Sequence, residues 1–335
     1  MRAGYGEKTR EFFANKTNPM LLIDFAGVKI FESATVDTNI LLFAKSNNLH
    51  KTVCAVINKQ NKESIKNLSD FVQQQKGVHD FNSSESWVIL SPIEESIKRK
   101  IEAVGTPLKD WNINIYRGVL TGCNEAFIIS TAKRDEILAN CQTEEERKRT
   151  EELIRPILRG RDIKRYGYVD NGLYLINTHN GIKGKLPRID INDYPAVKAH
   201  LDKYWDKISI RADKGDTPYN LRNCAYLEDF FKPKIIYPNM TKYMPFAYDN
   251  QGYLTNQKCF IMTGVHLPYL TAFFNSNIFK ICYRDCFPEL QGGTRELSKI
   301  FFENIRIPQI DKLIEYDIEN MLEDAQLGND YADLR

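Results

Sequence analysis

The sequence predicts a mixed α/β fold in about two domains. Three observations predict it. Short β-branched apolar runs bounded by turn residues recur along the chain, as strands require. Apolar residues at three- and four-residue spacing recur between them, as in HLPYLTAFFNSNIFKICYRDCF, and mark helices. The 335 residues, 42% hydrophobic and 27% charged, suffice for a core and a solvated exterior. No apolar run reaches the ~20 residues of a membrane span, and MRAGYGEK lacks the apolar stretch of a secretory signal. Seven cysteines at irregular spacing are read as reduced thiols, so the expected location is cytoplasmic. Cys282 and Cys286 form one pair without a matching second pair, which makes them helix thiols rather than a zinc site.

In chain order, RAGYGEKTREFF reads as a short amphipathic helix, followed by three strand-like runs, MLLIDFAG, VKIFESA and TVDTNILLFAKS. The polar stretch from residue 59 reads as a linker ending in an exposed helix. SSESWVIL is strand-like with Trp87 buried, and Ser91-Pro92 stand in helix-start order before IEESIKRKIEAV. Glu94 precedes Lys98 by four residues, as on a solvated helix.

From Trp111, NINIYRGVLTGCNEAFIIS reads as two strands around a turn. Gly118 and Gly122 there permit close backbone approach, and Arg117 is a phosphate-ligand candidate. A polar helix is expected near 133–153. Its Glu146-Arg147-Lys148 triplet has the spacing of half a nuclease site but lies in a charge run read as solvated. Glu296 and Lys299 are one residue too far apart for that role. Next comes IRPILRGRDIKRY, where Arg155, Arg159, Arg161, Lys164 and Arg165 fall within eleven residues against one carboxylate, Asp162. With Pro156 and Gly160 among them, these cations are expected on a loop, where they suit a nucleic-acid backbone.

Downstream, YGYVDNGLYLINTHNGIKG reads as strand, turn and strand, with a helix through DYPAVKAHLDKYWDKI. Arg211, Lys214 and Arg222 lie on a polar loop that either meets DNA or is merely solvated. KPKIIYPNMTKYMPFAYD reads as a buried strand, a loop and a return strand with Phe246 and Tyr248. The loop's Asn239, Thr241 and Lys242 can bond base edges and phosphates. The apolar residues of 266–287, among them Leu270, Phe273, Phe274, Phe279 and Ile281, read as core of a helix pair broken at Asn275-Ser276-Asn277. Arg284, Gln291 and Arg295 follow as candidate DNA contacts. Residues 311–335 hold eight acids and two bases, leaving 44 bases against 36 acids elsewhere, an excess that permits DNA binding without proving it.

Four ordered segments, VLTGCNEAFII, the basic run, KPKIIYPNMTKYMPFAYDNQG and YRDCFPELQGGTRELSKIFFENIRIP, together resemble the C-terminal target-recognition half of TaqI-type adenine-N6 DNA methyltransferases, including the fused type IIG restriction-modification enzymes. The resemblance implies the following organisation. Residues 1–58 are the closing strands of a Rossmann-like methyltransferase sheet, and 59–110 a helical linker. Residues 111–310 are an α+β target-recognition domain that binds double-stranded DNA, and 311–335 an acidic helix or tail. By position in KIFESATV, Phe31 matches the family's aromatic that stacks on a flipped base; a buried strand aromatic is the other reading. The family's catalytic Asn/Asp-Pro-Pro-aromatic tetrapeptide has no counterpart, since no two of the thirteen prolines are adjacent. The chain is therefore expected to bind no cofactor and to be inactive alone, with S-adenosylmethionine required by a catalytic segment that it lacks. The alternative is an interaction subunit that binds DNA only when docked on a separate methyltransferase chain.

Overall fold

The computed structural model describes residues 6–26, 28–33, 36, 38–58, 61–75, 77–85, 87–290 and 293–328. The fold is mixed α/β, with several small sheets. Two compact units divide the chain. One comprises Met1–Gly105, Ile278–Glu296 and Arg306–Pro308; the other comprises Thr106–Asn277, Leu297–Ile305 and Gln309–Arg335.

In the first unit a four-stranded sheet runs in the order Asn39–Ala44, Asn18–Asp24, Thr52–Val56, Gly77–His79. Its central pair is parallel, with Leu22 opposite Cys54, and both outer strands are antiparallel to their neighbours. Alternation along the strands buries Leu22 and Cys54 with Ala14, Phe81 and Trp87, and Ile23 with Phe25, Val28 and Ile57, so the sheet is covered on both faces. Phe81 and Trp87 stack with ring centroids 4.6 Å apart. The register shifts between Pro19 and Leu21, where proline cannot donate to the ladder.

The predicted N-terminal helix is present as Glu7–Lys16, and MLLIDFAG and TVDTNILLFAKS each supply a strand. VKIFESA does not: residues 28–33 form no strand, because the chain turns after Asp24, with Asp24 Oδ1 accepting from Ala26 N and Val28 N donating to Phe25 O. The buried strand Thr52–Val56 is not expected from the sequence, being only five residues in a polar context. Trp87 is buried as expected, but 87–90 is irregular rather than a strand. Ser91 caps the helix Pro92–Val104 in a full capping box with Glu94. Glu94 is thus committed to the cap, and Lys98 pairs instead with Glu102 at 3.7 Å.

Two four-stranded sheets build the second unit. One is antiparallel throughout, in the order Ala247–Asp249, Lys234–Pro238, Cys259–Gly264, Ile113–Arg117. The other runs Leu254–Thr255, Ile154–Leu158, Leu173–Ile176, Ile128–Ser130, with a parallel pairing of Leu254 and Ile157. Gly118 permits them to meet: Gly118 N donates to Cys259 O and Val119 N to Thr255 O, and a Cβ on Gly118 would lie 2.0 Å from Asn256 O.

Every residue of Lys234–Pro238 is buried, as its sequence predicts. Lys234 there forms a fully buried ion pair with Asp249 and donates to Phe230 O at 2.6 Å. Asp249 also accepts from Tyr168 Oη at 2.8 Å and from the N–H groups of Gln251 and Tyr253. Burial lowers the Lys234 pKa, with Asp249 pulling the other way.

The polar helix expected near 133–153 is two helices, Thr131–Ala139 and Glu144–Leu153, capped by the hydroxyls of Ser130 and Thr143. Glu146 is 3% exposed, not solvated as its charge run suggested. Its carboxylate accepts from Ala196 N at 3.0 Å, at the start of the helix Pro195–Asp202, and from Gln142 N at 2.8 Å. The helix pair Leu267–Asn275 and Asn277–Tyr283 breaks where predicted. Leu270, Phe274 and Phe279 are core, while Phe273 is half-buried and Ile281 is exposed, on the solvent face of its short helix. The helix Lys312–Gly328 packs on Leu267–Asn275, with Glu315 bonded to His266.

Candidate nucleic-acid interface

The basic run is not a uniform loop of displayed cations. Its first part, Ile154–Leu158, is a strand that includes Pro156, and a single 3-10 turn follows at Gly160–Asp162. Asp162, 3% exposed, holds that turn. It accepts from Arg159 N at 2.8 Å, from Arg159 Nε and Nη2 at 3.0 and 3.1 Å, and from Asn171 Nδ2 at 3.0 Å. Arg159 is therefore half of a bidentate internal pair. Arg155 lies over the Phe231 ring at 5.3 Å, half-buried. Arg165 donates to Asn275 O at 3.1 Å and sits 4.9 Å from the Tyr166 ring centre. Arg161 and Lys164 remain exposed, Lys164 donating to Arg161 O at 3.0 Å. The run thus divides into three cations engaged by other protein groups, of which Arg159 holds the turn, and two that face solvent.

Three further segments meet this turn. A Cβ on Gly160 would lie 3.3 Å from Pro238 Cβ and 3.6 Å from Lys258 O. Asn239 N donates to that same Lys258 O at 2.8 Å. Arg117, exposed at the end of its strand, donates through Nε to Gln257 O at 3.1 Å. Arg117, Arg161, Asn239 and Lys258 consequently stand on adjoining segments. Lys258 is not singled out by the sequence; its only signal is a three-residue polar turn, Asn256-Gln257-Lys258, between two short apolar runs.

Beyond Asn239, the Thr241 hydroxyl accepts from Tyr243 N at 3.1 Å and from Met244 N at 3.2 Å, and Met244 takes a left-handed φ of 51°. This tight turn displays Met240, Lys242 and Tyr243, the last 76% exposed. Asn239 Oδ1 is buried without a hydrogen-bond partner among the described residues. Beneath the cluster, burial pushes the Cys259 thiol up to about 12, so it is an inert neighbour.

The other candidates lie elsewhere. Arg211 is buried, bonded to the carbonyls of Thr121, Asp213, Pro218 and Asn220 and lying over Phe127 at 4.5 Å; it organises its loop. Lys214 donates to Ser209 O, and Arg222 pairs with Asp213. Asn124 accepts from the Thr121 hydroxyl at 2.6 Å, which stiffens the turn between the two runs. Phe31, Arg284 and Arg295 belong to the first unit. Phe31 is 52% exposed and outside any strand, which removes the reading of it as a buried strand aromatic. Arg284 is exposed. Arg295 is 2% exposed, paired with Asp285 at 2.8 Å and donating to Phe287 O at 3.1 Å, so it is a structural residue of the Glu289–Leu290 and Thr294–Glu296 hairpin. Gln291 lies outside the described residues. No described helix is long and apolar enough to cross a membrane.

The chain is similar in fold to a solved enzyme of the restriction-modification class, and in sequence part of it matches a specificity-domain family. Residues 155–307 match the TaqI-like C-terminal specificity domain, and the chain contains such a domain. Among solved structures, the chain is similar to the type IIL restriction-modification enzyme MmeI in complex with DNA, at TM-score 0.50 and 11% identity over 92% of this chain and 38% of that one. The type IIG restriction endonuclease BpuSI matches at TM-score 0.46 and 12% identity, over 96% of this chain and 40% of that one. The chain thus spans about two fifths of the length of these two enzymes.

Proposed function

We propose that this chain is the DNA target-recognition segment of a restriction-modification adenine-N6 methyltransferase. The observation that carries the reading is the cluster of exposed Arg117, Arg161, Lys164, Lys242 and Lys258 around Asn239 and Thr241, within or beside the matched specificity domain. Cations on adjoining turns suit successive phosphates and set register, while Asn239, Thr241 and the loop tip supply base-edge donors and acceptors.

The first unit supports a methyltransferase-sheet edge: a parallel central pair closed by the antiparallel strand Asn39–Ala44, with Phe31 exposed on the connection between strands. An exposed ring there suits stacking on an extruded base. With no adjacent prolines, the chain lacks the tetrapeptide that would hold that base for chemistry, and we assign S-adenosylmethionine to a catalytic segment outside it. A second reading, an interaction subunit that binds DNA only when docked, is favoured by the outer strand Asn39–Ala44, whose Ile40, Leu42 and Phe43 are exposed.

Fluorescence-anisotropy titration of a randomised duplex across a salt series separates the two. The recognition reading expects binding that weakens steeply with salt, with the slope reduced in an Arg161→Ala/Lys164→Ala/Lys258→Ala variant. No binding even at low salt overturns an autonomous reader and selects the docked one.

A further inference from the structure

The second unit carries another group of cations that the interface above leaves unused. Residues 180–188, NGIKGKLPR, fold into a tight finger in which Ile182 N donates to Leu186 O at 2.8 Å and Leu186 N returns to Ile182 O at 2.9 Å. Gly181, at φ 73°, permits the closure, since a Cβ there would lie 2.5 Å from Leu186 O. At the tip Gly184 takes φ 75°, and a Cβ on it would meet nothing within 4 Å, so the tip projects into open space.

Between this finger and residues 216–225 lies an open cleft of about 880 Å³. Asn180 fixes its floor, donating to Asp216 Oδ1 at 3.0 Å and accepting from Asp216 N at 2.8 Å. Lys183, Lys185 and Arg188 line the cleft and are exposed. Asp216, the one carboxylate among the described lining residues, is engaged by Asn180, and Lys185 pairs with Glu228. Lys183 and Arg188 form no ion pair among the described residues, and the N–H groups of Lys183 and Gly184 donate to no described protein acceptor. Two cations outside any ion pair among the described residues, beside two free amides at a left-handed glycine and in excess over the one lining carboxylate, form a concavity with the chemistry of an anion site.

We propose that this cleft is a second phosphate-binding surface, which takes the sugar–phosphate backbone of duplex DNA through Lys183, Arg188 and the amides of the finger tip. The inference rests on the DNA-binding reading above. A duplex held at both places is gripped along its backbone at two separate points of one unit, which fixes its direction as well as its register.

The test uses the full chain, a randomised duplex and the same salt series. Lys183→Ala/Arg188→Ala is expected to lower the slope of log K against log salt by about 0.9 for each phosphate that the variant no longer neutralises, while Lys183→Arg/Arg188→Lys retains it. Lys185→Ala, already paired with Glu228, is expected to change the slope less. Circular dichroism of the alanine variant should match the parent, because both side chains are exposed. If that variant binds with the parental slope while the Arg161/Lys164/Lys258 variant does not, DNA recognition stands and the cleft is overturned. If the unsubstituted chain shows no salt-dependent duplex binding, both are overturned.

Discussion

At the scale of single residues, charge alone does not say which cation is available. Arg159 and Arg161 are two positions apart, yet one holds buried Asp162 and the other faces solvent. Arg159→Ala leaves Asp162 with only Arg159 N and Asn171 Nδ2, and should cost about 1–3 kcal/mol in urea unfolding. Arg161→Ala should stay within about 0.5 kcal/mol. The buried pair is asymmetric in the same sense. Lys234→Met should cost about 3–5 kcal/mol by leaving a buried carboxylate without its cation. Asp249→Leu should cost more, because Tyr168 Oη, Gln251 N and Tyr253 N lose their acceptor as well as Lys234 losing its counter-charge. Equal losses in the two variants would refute that asymmetry. A cluster of arginines was legible in the sequence; which of them pair inward was not, since Asn171, Asn275 and Phe231 approach only in the folded chain.

Elements were readable where a local rule decides them. The capping box at Ser91 and Glu94 and the buried run Lys234–Pro238 are local, and both are present. Ser91→Ala should lower stability by about 1 kcal/mol, read as a shift in urea midpoint. VKIFESA failed as a strand although its composition is β-like, because the Asp24–Ala26 turn removes the chain from the ladder before it can pair. Glu146 misled in the opposite direction: a run of charged residues on one helix concealed a carboxylate that caps another helix fifty positions later. Gly118 shows the same dependence on tertiary approach. Gly118→Ala would force a methyl group against Asn256 O, and should destabilise by about 1–3 kcal/mol, whereas a substitution in open space at Lys242 should not.

For the whole molecule, the clearest titration signal is histidine. Burial lowers the pKa of His79, His179 and His200 below 6.5; at His200 the Ala126 carbonyl, 3.0 Å from Nε2, pulls weakly the other way. The unfolded chain then binds more protons than the folded one between those lowered values and 6.5, so stability is full above that pH and falls as the solution is acidified through the window. Urea midpoints should drop from about pH 7 to about pH 5.5, and His200→Gln should flatten the decline. Which unit the C-terminal helices join was not legible in the sequence, because periodicity marks an apolar face without naming the surface that covers it. That membership sets an order of events during synthesis. The first unit takes in Ile278–Glu296 and Arg306–Pro308, so it is not complete until Pro308 has been made, long after Gly105. A fragment ending at residue 277 would carry the four-stranded sheet of that unit without the later segments that belong with it.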